Sequence, residues 1–358
     1  MATISELVVY PIKSCAGISV ETALMLPTGL AYDRRWMVVD EATGRAVTQR
    51  QLPKMAVIRV SLPPALLAGA APGPGDALTL SAAGVSGEVA VPLAPSSAPK
   101  LREAKVWAWS GVAADEGDAA AAWLSSFLGR PVRLVRYLGT LDAAAGDAAA
   151  ALAAEAVVGG AGAGCADEGA RAAITRSVDP LFIPEGAEVA FADGFPLLLA
   201  TQESLDDLNG RLGGGGAVKM SRFRANVVLS GAGPAWADDA FGTVRLGGGA
   251  PTAPAAGGGG AGGAADPSGG AGVEVVFVKP CSRCTVPLVE QETGVVAGKE
   301  PIATMQGFRS GRVLGFDKKY GPGAATFFAQ NGQPLGSALL RVGDAAAVLK
   351  AGSYAAAA

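Results

Sequence analysis

Two stretches of this chain cannot contribute to a packed core, and they fix how the remainder is divided. Leu141 to Arg171 is almost wholly Ala, Gly and Asp, and Gly247 to Gly272 is mostly Gly, Ala and Pro. Side chains this small bury too little apolar area to offset the entropy of ordering the backbone. The first stretch reads as an insert between domains, either a frayed helix or a disordered segment. The second separates the strand-like runs Val244–Leu246 and Val273–Val278, so it reads as an overgrown hairpin loop. A length of 358 residues agrees with two domains. The division expected is residues 1–140 and 175–350, with residues 141–174 between them and 247–272 looped out of the second.

Outside these stretches the pattern is mainly strands and turns, with a few helices. Ile4–Tyr10 is strand-like, and Arg35–Val39 and Gly44–Thr48 flank the turn residues Asp40–Thr43 as a hairpin. Pro63–Gly75 reads as a loop, and Ala77–Ser81 and Gly87–Val91 read as a strand pair. A helix is expected from Asp118 to Gly129, with Trp123, Leu124, Phe127 and Leu128 on its apolar face. A strand follows at Val132–Tyr137. Thr201 is placed to cap a second helix, running to Leu212 with Leu205 and Leu208 inward. Phe223–Leu229 reads as a strand.

Composition narrows the chemistry. Histidine is absent, which removes Ser-His-Asp and Cys-His catalysis and every zinc site with a His ligand. An enzyme built on this chain needs a cofactor or a tuned Cys, Asp, Lys or Tyr. A net charge of −3 gives no chain-wide attraction to nucleic acid or acidic membranes, so any basic site is local. Four cysteines do not make a disulfide framework in a chain this long. No targeting segment or membrane-spanning run is visible, so a cytoplasmic location is expected.

Four polar clusters stand at strand ends. Lys13 and Ser14 leave the first strand together, an ammonium and a hydroxyl suited to an anion. Arg34 and Arg35, read as strand residues, point to opposite faces. Arg224 and Asn226 share a face and pair a guanidinium fork with an amide. Cys281-Ser282-Arg283-Cys284 sets two soft thiols around an arginine. On an extended backbone the two thiols face opposite ways, one to ligate and one to pack. Each cluster also fits a plain structural reading: surface arginines, an exposed lysine, a buried Cys pair. A structural zinc lacks ligands, because Cys15 and Cys165 are the other thiols present.

In order, Tyr10–Cys15, Asp33–Trp36, Asp193–Leu198, Arg222–Asn226 and Cys281–Cys284 resemble the motifs of MOSC-domain proteins, the mARC-like amidoxime-reducing molybdenum enzymes in particular. The resemblance runs from about Ile4 to Val348, outside the low-complexity stretches. It implies a mainly β, α+β fold, with an N-terminal MOSC-N barrel-like domain and a C-terminal MOSC β-barrel. It implies a molybdenum cofactor, Mo-molybdopterin, between them. Cys284 would be the thiolate on the metal. Lys13, Ser14, Arg34, Arg224, Asn226, Ser282 and Arg283 would hold the pterin and its phosphate. Asp193, Gly194 and Phe195 would line the pterin, and Asp239 matches an acidic position near the reaction. The implied activity is reduction of N-hydroxylated compounds (amidoximes, hydroxylamines, N-hydroxylated nucleobases), with nitrite reduction to nitric oxide as a side activity. Electrons would come from cytochrome b5 and NADH-cytochrome b5 reductase, since no fused cluster is visible. Other MOSC proteins suggest a sulfur carrier or cofactor-transfer module instead. Ala225 and Phe241 depart from the usual proline and tryptophan.

Overall fold

The computed structural model describes residues 1–94, 99–139, 174–183, 187–213, 216–248, 270–316 and 318–352. The insert expected at 141–174, apart from Ile174, and most of the loop expected at 247–272 lie outside the described residues. The first half carries β1 (Ala2–Val9), β2 (Ile18–Val20), β3 (Thr22–Leu26), β4 (Gly29–Leu30), β5 (Trp36–Asp40), β6 (Arg59–Ser61), β7 (Ala77–Ser81), β8 (Val89–Pro92), β9 (Leu101–Val106), β10 (Trp109–Asp115) and β11 (Val132–Arg136). Helices α1 (Pro64–Leu67) and α2 (Asp118–Leu128) interrupt them. The second half carries β12 (Leu197–Thr201), β13 (Val227–Ser230), β14 (Phe241–Leu246), β15 (Val273–Arg283), β16 (Thr326–Pro334), β17 (Ala338–Arg341) and β18 (Ala345–Ala351). Its helices are α3 (Gln202–Leu212), α4 (Ile302–Phe308) and α5 (Gly311–Leu314).

The molecule is mainly β with few helices. Strands β13, β12, β16, β15, β14, β18 and β1 are hydrogen-bonded in that order, and β1 returns to β13 to close a seven-stranded barrel. Closure leaves no unpaired strand edge within the ring. The pattern that fills it is alternation: Val273, Val275 and Phe277 of β15 are buried in the central core while Glu274 and Val276 between them are less so. Each such Val or Leu contributes about 1.5–3 kcal/mol on burial. The exception to antiparallel pairing is β12 with β13, joined through α3. Leu205 and Leu208 of α3 pack outside the barrel against Phe223 and Phe328.

The first half forms three smaller sheets: β5-β11-β10-β9, β6-β7-β8 and β17-β3-β4. Strands are exchanged between the halves. β1, from the chain's start, closes the barrel, and β17, from near its end, pairs with β3. One apolar core therefore runs through both, from Met55 and Leu78 to Val244 and Phe327.

Local differences from the sequence reading have physical causes. Pro63–Gly75 is not all loop. Pro64 starts α1, which buries Leu66 and Leu67. The strand expected from Phe223 begins only at Val227, because Arg224 takes a left-handed φ of 58°. Arg34 likewise has φ 48° and lies in a turn before β5, so strand alternation does not separate it from Arg35. The hairpin β9–β10 has no counterpart in the reading above; Arg102, Glu103 and Lys105 mask its apolar face.

Candidate functional site

Five loops meet at the seam between the halves and line an open cleft. Backbone hydrogen bonds clip them together: Lys13 N–H to Trp36 O (2.8 Å), Arg34 N–H to Tyr10 O (2.7 Å), Phe191 N–H to Arg34 O (3.0 Å) and Asn226 N–H to Leu198 O (2.8 Å). Buried Asp33 ties the first two loops to the fourth, accepting from the Tyr10 N–H at 2.8 Å and the Asn226 amide at 2.9 Å. Ser14, Arg34 and Arg224 all line this cleft with φ between 48° and 68°, a region non-glycine residues seldom occupy. Strain of this kind persists where surrounding bonds over-determine it, and it clusters at functional sites.

The cleft is cationic. Lys13 is buried, with its ammonium on Phe191 O at 2.8 Å and on the Asp193 carboxylate. Burial lowers its pKa, and Asp193 opposes that shift. Arg34 pairs with Asp33 and donates to Asn226 Oδ1 at 2.9 Å. Arg34 and Arg224 hold their guanidinium carbons 4.5 and 4.2 Å from the centre of the Tyr10 ring. The ring's negative faces offset part of the repulsion between the two cations. Arg224 donates to Cys15 O at 2.7 Å, but its Nη2 is buried with no hydrogen-bond partner. Burial, with repulsion from Arg34, brings its pKa down to about 10, against the pull of Tyr10. A charged, buried donor without an acceptor costs free energy that an anion would recover.

The thiols stand on the cleft wall beside Arg283. Cys284 is exposed, just past the end of β15. Cys281 lines the same cleft, which corrects the expectation that it packs on the opposite face. The register of β15 against β16 shifts between Pro280 and Ser282, and this bulge breaks strict alternation. Arg283 Nη1 donates to Cys281 Sγ at 3.0 Å and Nη2 to Phe223 O at 2.9 Å, while Nε is buried without a partner.

Of the residues singled out from sequence, Lys13, Ser14, Arg34, Asp193, Gly194, Phe195, Arg224, Asn226, Arg283 and Cys284 all line the cleft. Asn226 has its amide fully engaged within the protein, by Val8 O, Asp33, Arg34 and the Leu198 N–H. It positions Arg34 instead of reaching for a ligand. Ser282 is exposed and does not line the cleft. Asp239 too is absent from the cleft lining, and its carboxylate is gripped by Arg309 and by Gln330. Neighbouring Asp238 is buried, and burial with the Asp239 charge pushes its pKa up to about 6.

Sequence reasoning missed four contributors. Arg176 donates to the carbonyls of Ala190, Ala192 and Asp193, fixing the loop that carries Asp193. Nothing in its Ala/Thr surroundings marks it. Gln49 and Gln291 exchange hydrogen bonds at 3.0 Å, and Gln49 also donates to Ser14 O at 2.9 Å. Asn331 lines the cleft from β16, and the run Gln330-Asn331-Gly332-Gln333 in a buried strand was the available signal.

The residues present fit an anionic cofactor with a phosphate and a thiolate-bound metal. Arg224 and Arg283, which line the cleft, each keep one buried nitrogen without a partner. A Cβ built on Gly194 would meet no protein atom within 4 Å, so protein packing does not demand that glycine. A side chain there would occupy cleft space. Among the described residues no three Cys, Asp or Glu side chains converge on a metal-sized point.

Residues 1–131 match the MOSC N-terminal beta barrel domain, and residues 186–347 match the MOSC domain. The chain belongs to the MOSC-domain proteins. Relatives run across both MOSC units. Mitochondrial amidoxime-reducing component 1 of Mus musculus is 29% identical, covering 86% of this chain and 72% of the relative. Its Homo sapiens counterpart is 28% identical with the same coverage. Mitochondrial amidoxime reducing component 2 of Bos taurus is 29% identical over 86% of this chain and 73% of its own length. No helix among the described residues is long and apolar enough to cross a membrane.

Proposed function

We propose that this MOSC protein is a molybdenum-cofactor-dependent reductase of N-hydroxylated compounds. The observation that carries this is one cleft lined both by Arg224, whose buried Nη2 has no partner, and by Cys284, which is exposed. Lys13, Arg34 and Arg224 would hold the cofactor's phosphate, each charge-assisted contact contributing roughly 1.5–3 kcal/mol. Arg283 and the backbone of Asp193–Phe195 would line the pterin. Cys284 would supply the protein's thiolate to the metal.

When bound, the cofactor supplies the two-electron step that converts R–NHOH, two protons and two electrons into R–NH2 and water. The chain's part is to orient that group and to keep Cys284 at an open wall where a small substrate arrives. Amidoximes, hydroxylamines and N-hydroxylated nucleobases share the N–OH bond that is cleaved. Nitrite, taking one electron and two protons to give nitric oxide and water, is a side substrate of the same centre. Electrons come from cytochrome b5, reduced by NADH-cytochrome b5 reductase. Association with mitochondria accords with the relatives' names. A sulfur-carrier role needs the thiols alone and leaves Lys13, Arg34 and Arg224 without work.

Purified protein should contain close to one molybdenum per chain (about 1:1 by the single-cleft argument) together with a pterin. Arg224→Ala should lower both while the far-ultraviolet circular dichroism is unchanged. With cytochrome b5 and its reductase, the loaded protein should reduce benzamidoxime at the expense of NADH. Full molybdenum in Arg224→Ala would sink the phosphate assignment. A metal-free protein carrying a persulfide on Cys284 would favour the sulfur carrier.

A further inference from the structure

A second recess opens beside the cleft and shares Lys13 with it. Arg45, Ala46, Thr48, Arg50, Gln51, Lys105, Val106 and Trp107 complete its open, concave wall. Four of these nine residues are cationic and none is acidic, in a chain whose net charge is −3. The cations are therefore gathered locally and not a sample of the general surface.

Their arrangement is unfavourable without a counter-charge. Arg45 and Lys105 are partners across a parallel bridge, fixed by Ala46 N–H to Lys105 O and Lys105 N–H to Gly44 O, both 2.8 Å. Like charges set opposite each other on neighbouring strands are destabilising. Glu103 sits 2.9 Å from Lys105. Among the described residues no carboxylate pairs with Arg45 or Arg50. The recess thus holds two guanidinium groups free to bind an oxyanion, beside one half-compensated ammonium.

Trp107 is an independent second mark. It and Ala108 form the two-residue tip of the β9–β10 hairpin, between the paired Val106 and Trp109. Such tips favour Asn or Gly because they need positive φ. Here a tryptophan takes φ 54°. Burial does not repay the strain, since Trp107 is 53% exposed. The ring is nevertheless fixed: its N–H donates to Asp193 at 3.2 Å, and the Arg50 guanidinium lies 4.6 Å from its centre. A strained, exposed, immobilised aromatic between two recesses is a platform for a flat ligand.

We propose that this recess is a second binding site, for a small molecule that carries a phosphomonoester on a flat ring, such as a nucleoside monophosphate. Guanidinium forks match phosphate oxygens in pairs, and the concave wall suits a small ligand better than a protein face. The phosphate is held by Arg45, Arg50 and Lys105, and the ring lies against Trp107. The site does not depend on the reductase reading, because binding is measured without turnover.

The test is calorimetric titration of the full-length protein as purified with AMP, with adenosine and inorganic phosphate as controls. AMP should bind at least about tenfold more tightly than adenosine, the worth of one charge-assisted contact. Arg45→Gln/Lys105→Gln should weaken AMP by about tenfold or more. Trp107→Leu should weaken AMP and leave phosphate unchanged. Equal binding of AMP and adenosine would overturn the proposal, as would wild-type affinity in the double variant. So would an AMP affinity lost in Arg224→Lys and kept in the double variant, which would put the ligand in the cleft. Arg45→Gln alone, at an exposed side chain, carries the test if the double variant does not fold.

Discussion

At Cys284 the chain has just left β15 and turned, so the thiol stands clear of the sheet; at Cys281 it is still in the strand, held by Arg283 at 3.0 Å. The two thiols share a wall and differ in what they touch. Cys284→Ser keeps the volume but replaces a soft ligand with a hard, poorly ionised oxygen. It is expected to abolish N-hydroxyl reduction while pterin stays bound to the cations. Cys281→Ala removes one weak contact, about 0.5–1.5 kcal/mol, so pterin affinity should fall by about tenfold or less. Activity and pterin content of the two variants decide it: a Cys284→Ser protein that turns over normally would take the thiol out of the reaction. The residue scale also shows what the sequence made legible. Lys13, Arg34, Arg224 and Cys284 stood out because each is polar and next to a strand end. Their convergence rests on left-handed turns at Ser14, Arg34 and Arg224, which no local pattern announces in a non-glycine residue. Arg176 was invisible for another reason: its role is toward backbone carbonyls, and any long donor in that place would look the same in sequence.

Among elements, those with a strong period were readable and those disguised by charge were not. Helix α2 shows its Trp123, Leu124 and Leu128 face and stops at Gly129, whose φ of 71° is the left-handed cap expected of glycine. Strand β9 sets Arg102, Glu103 and Lys105 among apolar residues without a clean period of two, and β10 is mostly Ser, Gly and Ala, so the hairpin escaped notice, although it carries Trp107 and Lys105 into the second recess. The β14–β15 hairpin permits a direct test. Leu246 pairs with Val273, and Gly247 N–H bonds Ala345 O, so the hairpin is already closed at its base. Deleting residues 249–269 and joining Gly248 to Gly270 leaves a loop of ordinary hairpin length. Closure cost changes by about 0.6 kcal/mol per doubling of loop length, so the shortened protein should melt at the same temperature or slightly higher. Reduction should be unchanged. A fall in Tm of more than about 5 °C would mean that the deleted segment packs on the fold.

Across the whole molecule, the division visible in sequence is not a division in hydrogen bonding. β1 belongs to the first segment of the chain yet closes the barrel, between β13 and β18. β17 belongs to the last yet completes the sheet of β3 and β4. The apolar core is continuous across the seam. Neither half can unfold and leave the other intact, because each loses a strand and part of its core when its partner melts. Calorimetry should therefore give one transition, with van't Hoff and calorimetric enthalpies equal. The cleft makes the same argument testable from the ligand side. Lys13 and Arg34 come from the first half, Arg224, Arg283 and Cys284 from the second. A cofactor bound by both sets stabilises only the state in which both are folded, by RT ln(1 + [L]/Kd). Loaded and cofactor-free protein should then differ by a shift of the single transition as a unit. Two resolved transitions, of which loading moves one, would show that the halves are separable and that the cofactor is held by one of them.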